Sequence, residues 1–139
     1  MKKLLIFDLD GTLAESKCAL SSEMAGVLQQ ALETCSIAVI SGGNYYQFQK
    51  QFLSNLSVSE DKLKNIYLFP TCGTSFYKYD NGWNCVYRQD LEKSEKEKIF
   101  KSFEKMFEEV GFSNSNPYGH IIEDREMQIT FSALGQDAP

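Results

Sequence analysis

The chain has 139 residues, 42% of them apolar and 24% charged, with a formal charge of −5 at pH 7. That is the make-up of one modest folded domain or parts of two, and its acidity argues against nucleic-acid or anionic-membrane partners. Small anionic substrates fit only where a local cation reverses the field. The opening MKKLLIFDLD imitates an export signal for seven residues, but the apolar run is short and ends in acids. Neither export nor a membrane segment is expected from it. Cys18, Cys35, Cys72 and Cys85 are widely spaced with no CxxC pair, as expected of free thiols in a reducing, cytoplasmic compartment.

Residues 3 to 7 read as a short buried strand with Asp8 at its carboxyl end. SSEMAGVLQQALE follows as a helix with Met24, Val27, Leu28, Ala31 and Leu32 on one face and Ser21 or Ser22 as N-cap. SIAVISGG supplies a second apolar strand, Ile37 to Ile40, closed by Ser41-Gly42-Gly43. Asn44 then opens a helix with Tyr45, Phe48 and Phe52 on its buried face. After the polar break SVSEDKLK comes a third strand, NIYLFP. Unalternated apolar strands joined by helices predict an α/β fold, a parallel sheet covered on both faces. Ligands of such sheets bind beyond the carboxyl ends of the strands, and Asp8, Asp10 and Ser41 all fall at that edge.

The second half changes character. TSFYKYDNGWNCVYR alternates around Asp80-Asn81-Gly82 and reads as a hairpin. EKSEKEKIFKSFEKMFEEVGF is an amphipathic helix with a stripe of Ile99, Phe103, Met106 and Val110. Ser94 with Glu97 is its expected capping box and Gly111 its stop. HIIEDR and MQITFSAL read as two more strands. Hairpin, helix and strands together suggest a small α+β unit joined to the parallel sheet near residue 88, giving domains 1–88 and 89–139.

Two carboxylates one position apart at a strand tip repel each other, so a cation or a reaction that uses both is expected there. Asp8 can attack phosphorus as a nucleophile. Asp10 can protonate the leaving oxygen and then deprotonate the water that cleaves the intermediate. Magnesium, bound at Asp8 and Asp10, suits such an all-oxygen site. Gly11 permits a tight turn, Thr12 offers a hydroxyl and an amide, and Ser41 with Gly42 completes a phosphate-binding edge. The bland alternatives are a turn pair for the two aspartates and an N-cap role for Ser41. Thr71-Cys72-Gly73-Thr74 lies at the same edge, either lining the site or simply turning the chain.

DLDGT after an apolar strand, with Ser41 ending the second strand, resembles the first two motifs of the haloacid dehalogenase superfamily, most of whose members with this form are phosphatases or phosphotransferases. The resemblance implies a Rossmann-like core followed by the start of an α+β cap, in the capped subfamily that includes phosphomannomutases. IIEDREMQITFSALGQ is similar to the cap segment of phosphomannomutase-like members, which implies a substrate contact for Arg125. A surface ion pair of Arg125 with Glu123 or Asp124 is the competing reading. Gly135-Gln136 stands where true mutases carry glycine-arginine, which favours hydrolysis over isomerisation. The resemblance also implies a lysine and a further acidic pair that no strand after Ser41 supplies. Glu123-Asp124 with Lys105 is the only rival set, so these residues are expected to form the amino-terminal part of a longer enzyme. The expected activity is magnesium-dependent hydrolysis of a small phosphorylated metabolite, a sugar phosphate. A sugar-phosphate mutase and a non-catalytic fragment or binding module are the alternatives. Exposed sheet edges further suggest a homodimer.

Overall fold

The computed structural model describes residues 3–138. Its first three strands, β1 (Leu4–Asp8), β2 (Ser36–Ile40) and β3 (Ile66–Phe69), pair in parallel. The register sets Phe7 beside Val39 and Val39 beside Leu68, so this core-facing row across the sheet is apolar. Two further strands, β4 (Ser75–Tyr79) and β5 (Trp83–Arg88), continue the sheet antiparallel, in the order β1-β2-β3-β4-β5. The hairpin therefore extends the first sheet instead of grouping with the helix that follows it. Asn81 and Gly82 both take positive φ, 51° and 135°, which allows the chain to reverse within a tight turn. Unalternated apolar sequence gave no hint that β3 would carry an antiparallel neighbour, because pairing direction leaves no mark on a strand buried among others.

The helices α1 (Ser22–Ala31) and α2 (Tyr45–Gln51) pack on a single face of this sheet. The core there joins Phe7, Ile37, Val39, Ile66 and Leu68 of the strands to Leu28, Leu32, Phe48 and Phe52 of the helices. Ser21 caps α1 by accepting the Met24 N–H at 3.1 Å. Val27, expected on the buried face, is exposed; it lies about 100° around the helix from the centre of the stripe. The stretch read as a polar break holds a short helix, α3 (Glu60–Leu63).

Coverage on one face only departs from the sequence expectation, and chain handedness explains it. The crossovers from β1 to β2 and from β2 to β3 step the same way across the sheet, and right-handed crossovers that step the same way place their helices on the same side. The other face carries Leu4, Ile6, Ile40, Tyr67, Phe69 and Phe76. Ile6 there is 67% exposed and Leu4 45%.

The chain divides into two compact units, Met1–Arg88 and Gln89–Pro139. In the second, α4 (Lys93–Val110) accompanies an antiparallel pair, β6 (Ile122–Asp124) and β7 (Ile129–Phe131). Phe103, Phe107 and Phe112 cluster on Phe131 with ring centroids 5.4–5.8 Å away. The helix starts two residues earlier than expected: Glu92 is the N-cap, and its N–H is bound by the Glu95 carboxylate at 2.8 Å. Ser94 lies inside the first turn. Gly111, at φ 62°, ends the helix in the left-handed conformation. Val110, expected in the apolar stripe, is exposed.

Candidate active site

Packing, not charge, sets the spacing of the two aspartates. Leu9 between them is buried, and its carbonyl accepts the N–H groups of Leu13 and Ala14 at 3.0 Å and of Thr12 at 3.3 Å. This knot turns the chain sharply after β1, with Gly11 at φ 76° in a conformation that a side chain would strain. Asp8, at the strand tip, is exposed. The Thr12 hydroxyl donates to its Oδ2 at 3.2 Å.

Asp10 is held by three donors. Ser41 Oγ donates to Oδ2 at 3.1 Å, the Lys17 N–H to Oδ1 at 3.1 Å, and Gln51 Nε2 to Oδ1 at 3.5 Å. Ser41 is buried and its oxygen accepts the Gly43 N–H at 3.3 Å. It does not cap α2. Asn44 does, accepting the Gln47 N–H at 3.0 Å while Gln47 Oε1 takes the Asn44 N–H at 2.7 Å. The hydroxyl of Ser41 is thereby released toward the acid pair. Gly42 follows it with Cys72 alongside. An open pocket of about 420 Å³ lies along the segment after β1, lined by Gly11, Thr12, Ala14, Glu15 and Ser21 among others but by neither aspartate nor Ser41.

The edge is buttressed from β3. Thr71, Cys72 and Gly73 take left-handed φ values of 49°, 57° and 84° in succession. This lets the Thr71 N–H reach the Gly43 carbonyl at 2.8 Å and the Cys72 N–H the Ser41 carbonyl at 2.9 Å. The turn reading is the one seen, and the turn also braces the serine loop. Tyr45 stacks on Tyr77, ring centroids 3.9 Å apart and 8° from parallel. Burial, and then the neighbouring Tyr77 phenol, push its hydroxyl up to about 12.

As a metal cradle, the two aspartates present hard oxygen donors of the kind magnesium takes, with room at exposed Asp8 for water and substrate oxygens. Among the described residues no third acidic, histidine or cysteine side chain joins them into a metal-holding group. The pair fits magnesium as part of a coordination shell.

Asp8, Asp10, Gly11, Thr12, Ser41 and Gly42 belong to the first unit, and hydrogen bonds link Asp10 to Ser41 and Thr12 to Asp8. Arg125 belongs to the second unit, where its Nε and one terminal nitrogen donate to Glu123 Oε2 at 2.8 and 2.7 Å. The ion-pair reading of Arg125 is therefore the one seen within that unit. Asp124 pairs with Lys96 at 3.0 Å, and Lys105 is an exposed side chain paired with Glu109, so the rival acid–lysine set is engaged elsewhere. Sequence reasoning missed Gln51 and the Lys17 amide. Gln51 is buried on α2, and a polar residue on an otherwise apolar helical face was the one signal available for it.

A family model described as haloacid dehalogenase-like hydrolase matches residues 5–133. A phosphomannomutase of Encephalitozoon cuniculi is 28% identical over 144 residues, covering 98% of this chain and 51% of that protein. The chain thus spans about half the length of this curated relative. Among solved structures, Plasmodium falciparum IMP-nucleotidase superposes with a TM-score of 0.66 at 20% identity, over 92% of this chain and 38% of the other. A haloacid dehalogenase-like hydrolase from B. subtilis gives 0.59 at 23% identity, over 75% and 34%. At those identities the likeness is one of fold.

Proposed function

We propose, because the chain belongs to the haloacid dehalogenase-like hydrolase family, that it carries the nucleophile site of a magnesium-dependent phosphatase acting on a small phosphorylated metabolite of the sugar-phosphate class. The observation that carries this reading is the convergence of Asp8, Asp10, Thr12 and Ser41 on one sheet edge through the bonds from Ser41 to Asp10 and from Thr12 to Asp8. In the first step an Asp8 oxygen bonds to phosphorus as the bond to the substrate alcohol breaks, and Asp10 gives that alcohol its proton. In the second, Asp10 takes a proton from water as the water oxygen bonds to phosphorus, which releases phosphate and restores the Asp8 carboxylate. Thr12, bound to one Asp8 oxygen, leaves the other for attack. Ser41 and Gly42 are the edge that binds the phosphoryl oxygens, with Gly11 and Thr12 shaping the adjoining turn, where their amides donate to the Ala14 and Leu9 carbonyls. Magnesium held at Asp8 and Asp10 would offset the charge of carboxylate and phosphate. Arg125 is assigned a substrate contact on its resemblance alone, and the site of action is cytoplasmic.

The test is phosphate release from a panel of hexose and pentose phosphates with magnesium, comparing the protein with its Asp8→Asn variant. Loss of at least about 10³-fold in kcat is expected; undiminished turnover by Asp8→Asn would falsify the assignment. A sugar-phosphate mutase is the second reading, favoured by the relative that carries the name phosphomannomutase. Hexose 1-phosphate separates the two, since a mutase returns its isomer and a phosphatase returns inorganic phosphate. A non-catalytic module would leave all substrates intact.

A further inference from the structure

None of the phosphoryl chemistry uses the pocket of about 420 Å³ after β1. That volume suits a small organic ligand, whose sites run about 300–1,000 Å³. The pocket is built within the first unit, from the segment between the acid pair and the first turn of α1. Thr12 joins it to the site: it lines the pocket, and its hydroxyl donates to Asp8 Oδ2 at 3.2 Å. A molecule whose phosphoryl group meets Asp8 therefore has this pocket as a neighbour for the rest of its body. Buried Leu13 and half-buried Ala14 and Met24 give it apolar lining. Two polar groups in it are unspent. Exposed Glu15 makes no side-chain bond to another described residue. Ser21 Oγ accepts the Met24 N–H at 3.1 Å and keeps its own proton to give. Glu15 is also the one charged residue lining the pocket, so a second anion would be repelled there while hydroxyl or ammonium donors would be bound.

We infer that this pocket is a specificity subsite for the organic part of the substrate, taking a moiety that bears hydroxyl or amino donors and no second negative charge. Glu15 is its discriminating residue. The inference rests on the reading of Asp8 as phosphoryl acceptor and narrows it to donor-bearing monophosphates.

Three thiols of the 139-residue chain read the test without turnover. Cys18 lines the pocket, Cys72 stands beside Gly42 at the phosphoryl edge, and Cys85 lies exposed on β5 as the control. Alkylation by iodoacetamide is followed thiol by thiol by mass spectrometry, with magnesium present. Inorganic phosphate is expected to protect Cys72 alone. Glucosamine 6-phosphate at about ten times its dissociation constant is expected to slow both Cys72 and Cys18 about tenfold, with Cys85 unchanged. Fructose 1,6-bisphosphate is expected to leave Cys18 reactive. Glu15→Gln is expected to weaken glucosamine 6-phosphate roughly threefold, the scale of one exposed charge pair, with Trp83 fluorescence showing that the variant stays folded. If glucosamine 6-phosphate protects Cys72 and not Cys18, the subsite falls and the phosphoryl site stands; if it protects neither, both fall. Protection of Cys18 by inorganic phosphate, or equally by the bisphosphate, also overturns the inference.

Discussion

Cys72 sits with φ 57° between two other left-handed residues, a conformation that costs a non-glycine residue about 1–2 kcal/mol. Its side chain is exposed, so little packing is lost on removing it. Cys72→Gly is expected to raise stability by about 1 kcal/mol, read from the urea midpoint at unchanged slope. Ser75 presents the complementary case. Its hydroxyl is fully buried and has no hydrogen-bond partner among the described residues. Ser75→Ala is therefore expected to stabilise by about 1 kcal/mol, and a measurable loss in the same urea titration would show that the hydroxyl is satisfied. Asp8 and Asp10 could be picked out from sequence because two acids flanking a single leucine after an apolar strand have few innocent explanations. Gln51 could not, since its use depends on which residue α2 happens to turn toward the loop.

Within the second unit, one glycine fixes how the elements close. Tyr118 N–H reaches the Leu134 carbonyl at 2.8 Å and Asp137 N–H reaches the Tyr118 carbonyl at 2.9 Å. Between these bonds Gly135, at φ 97°, passes so near that a Cβ would stand 2.1 Å from the Tyr118 oxygen. Backbone cannot yield there as a flexible side chain would. Gly135→Ala is expected to cost about 3 kcal/mol or more, seen as a lowered transition by circular dichroism. Trp83, the only tryptophan and a residue of the first unit, is expected to keep its native fluorescence. The α4 stop at Gly111 was legible because glycine after an amphipathic run has a local meaning. The start was not, because Glu92-x-x-Glu95 and Ser94-x-x-Glu97 offer overlapping caps and sequence alone does not rank them.

At the scale of the molecule, the two units respond to opposite ends of the pH range. Tyr45, raised from 10.0 to about 12, is neutral in the folded state where the unfolded chain has already lost its proton. Its contribution is complete below pH 10 and fades as pH climbs from 10 to 12. Burial pushes Asp124 upward, but the Glu126 N–H and the Lys96 ammonium outweigh that and hold it below its ordinary 3.8. Its contribution is complete above pH 3.8 and is lost as pH falls through the lowered value. Alkaline unfolding followed at Trp83 is expected to be blunted by Tyr45→Phe, and acid unfolding of the second unit by Lys96→Met. The α/β class and the edge that gathers the site were legible because they depend on local patterns. One-sided coverage was not, because it follows from the direction in which successive crossovers step, a property of the path and of no single segment. The strand order has a further consequence. Every strand of the sheet lies beside the one that precedes it in the chain, so a ribosome releases them in the sequence in which they can be zipped together. The oldest strand is then the one whose flank stands open longest, and crowded translation would be the moment of greatest hazard for Leu4 and Ile6.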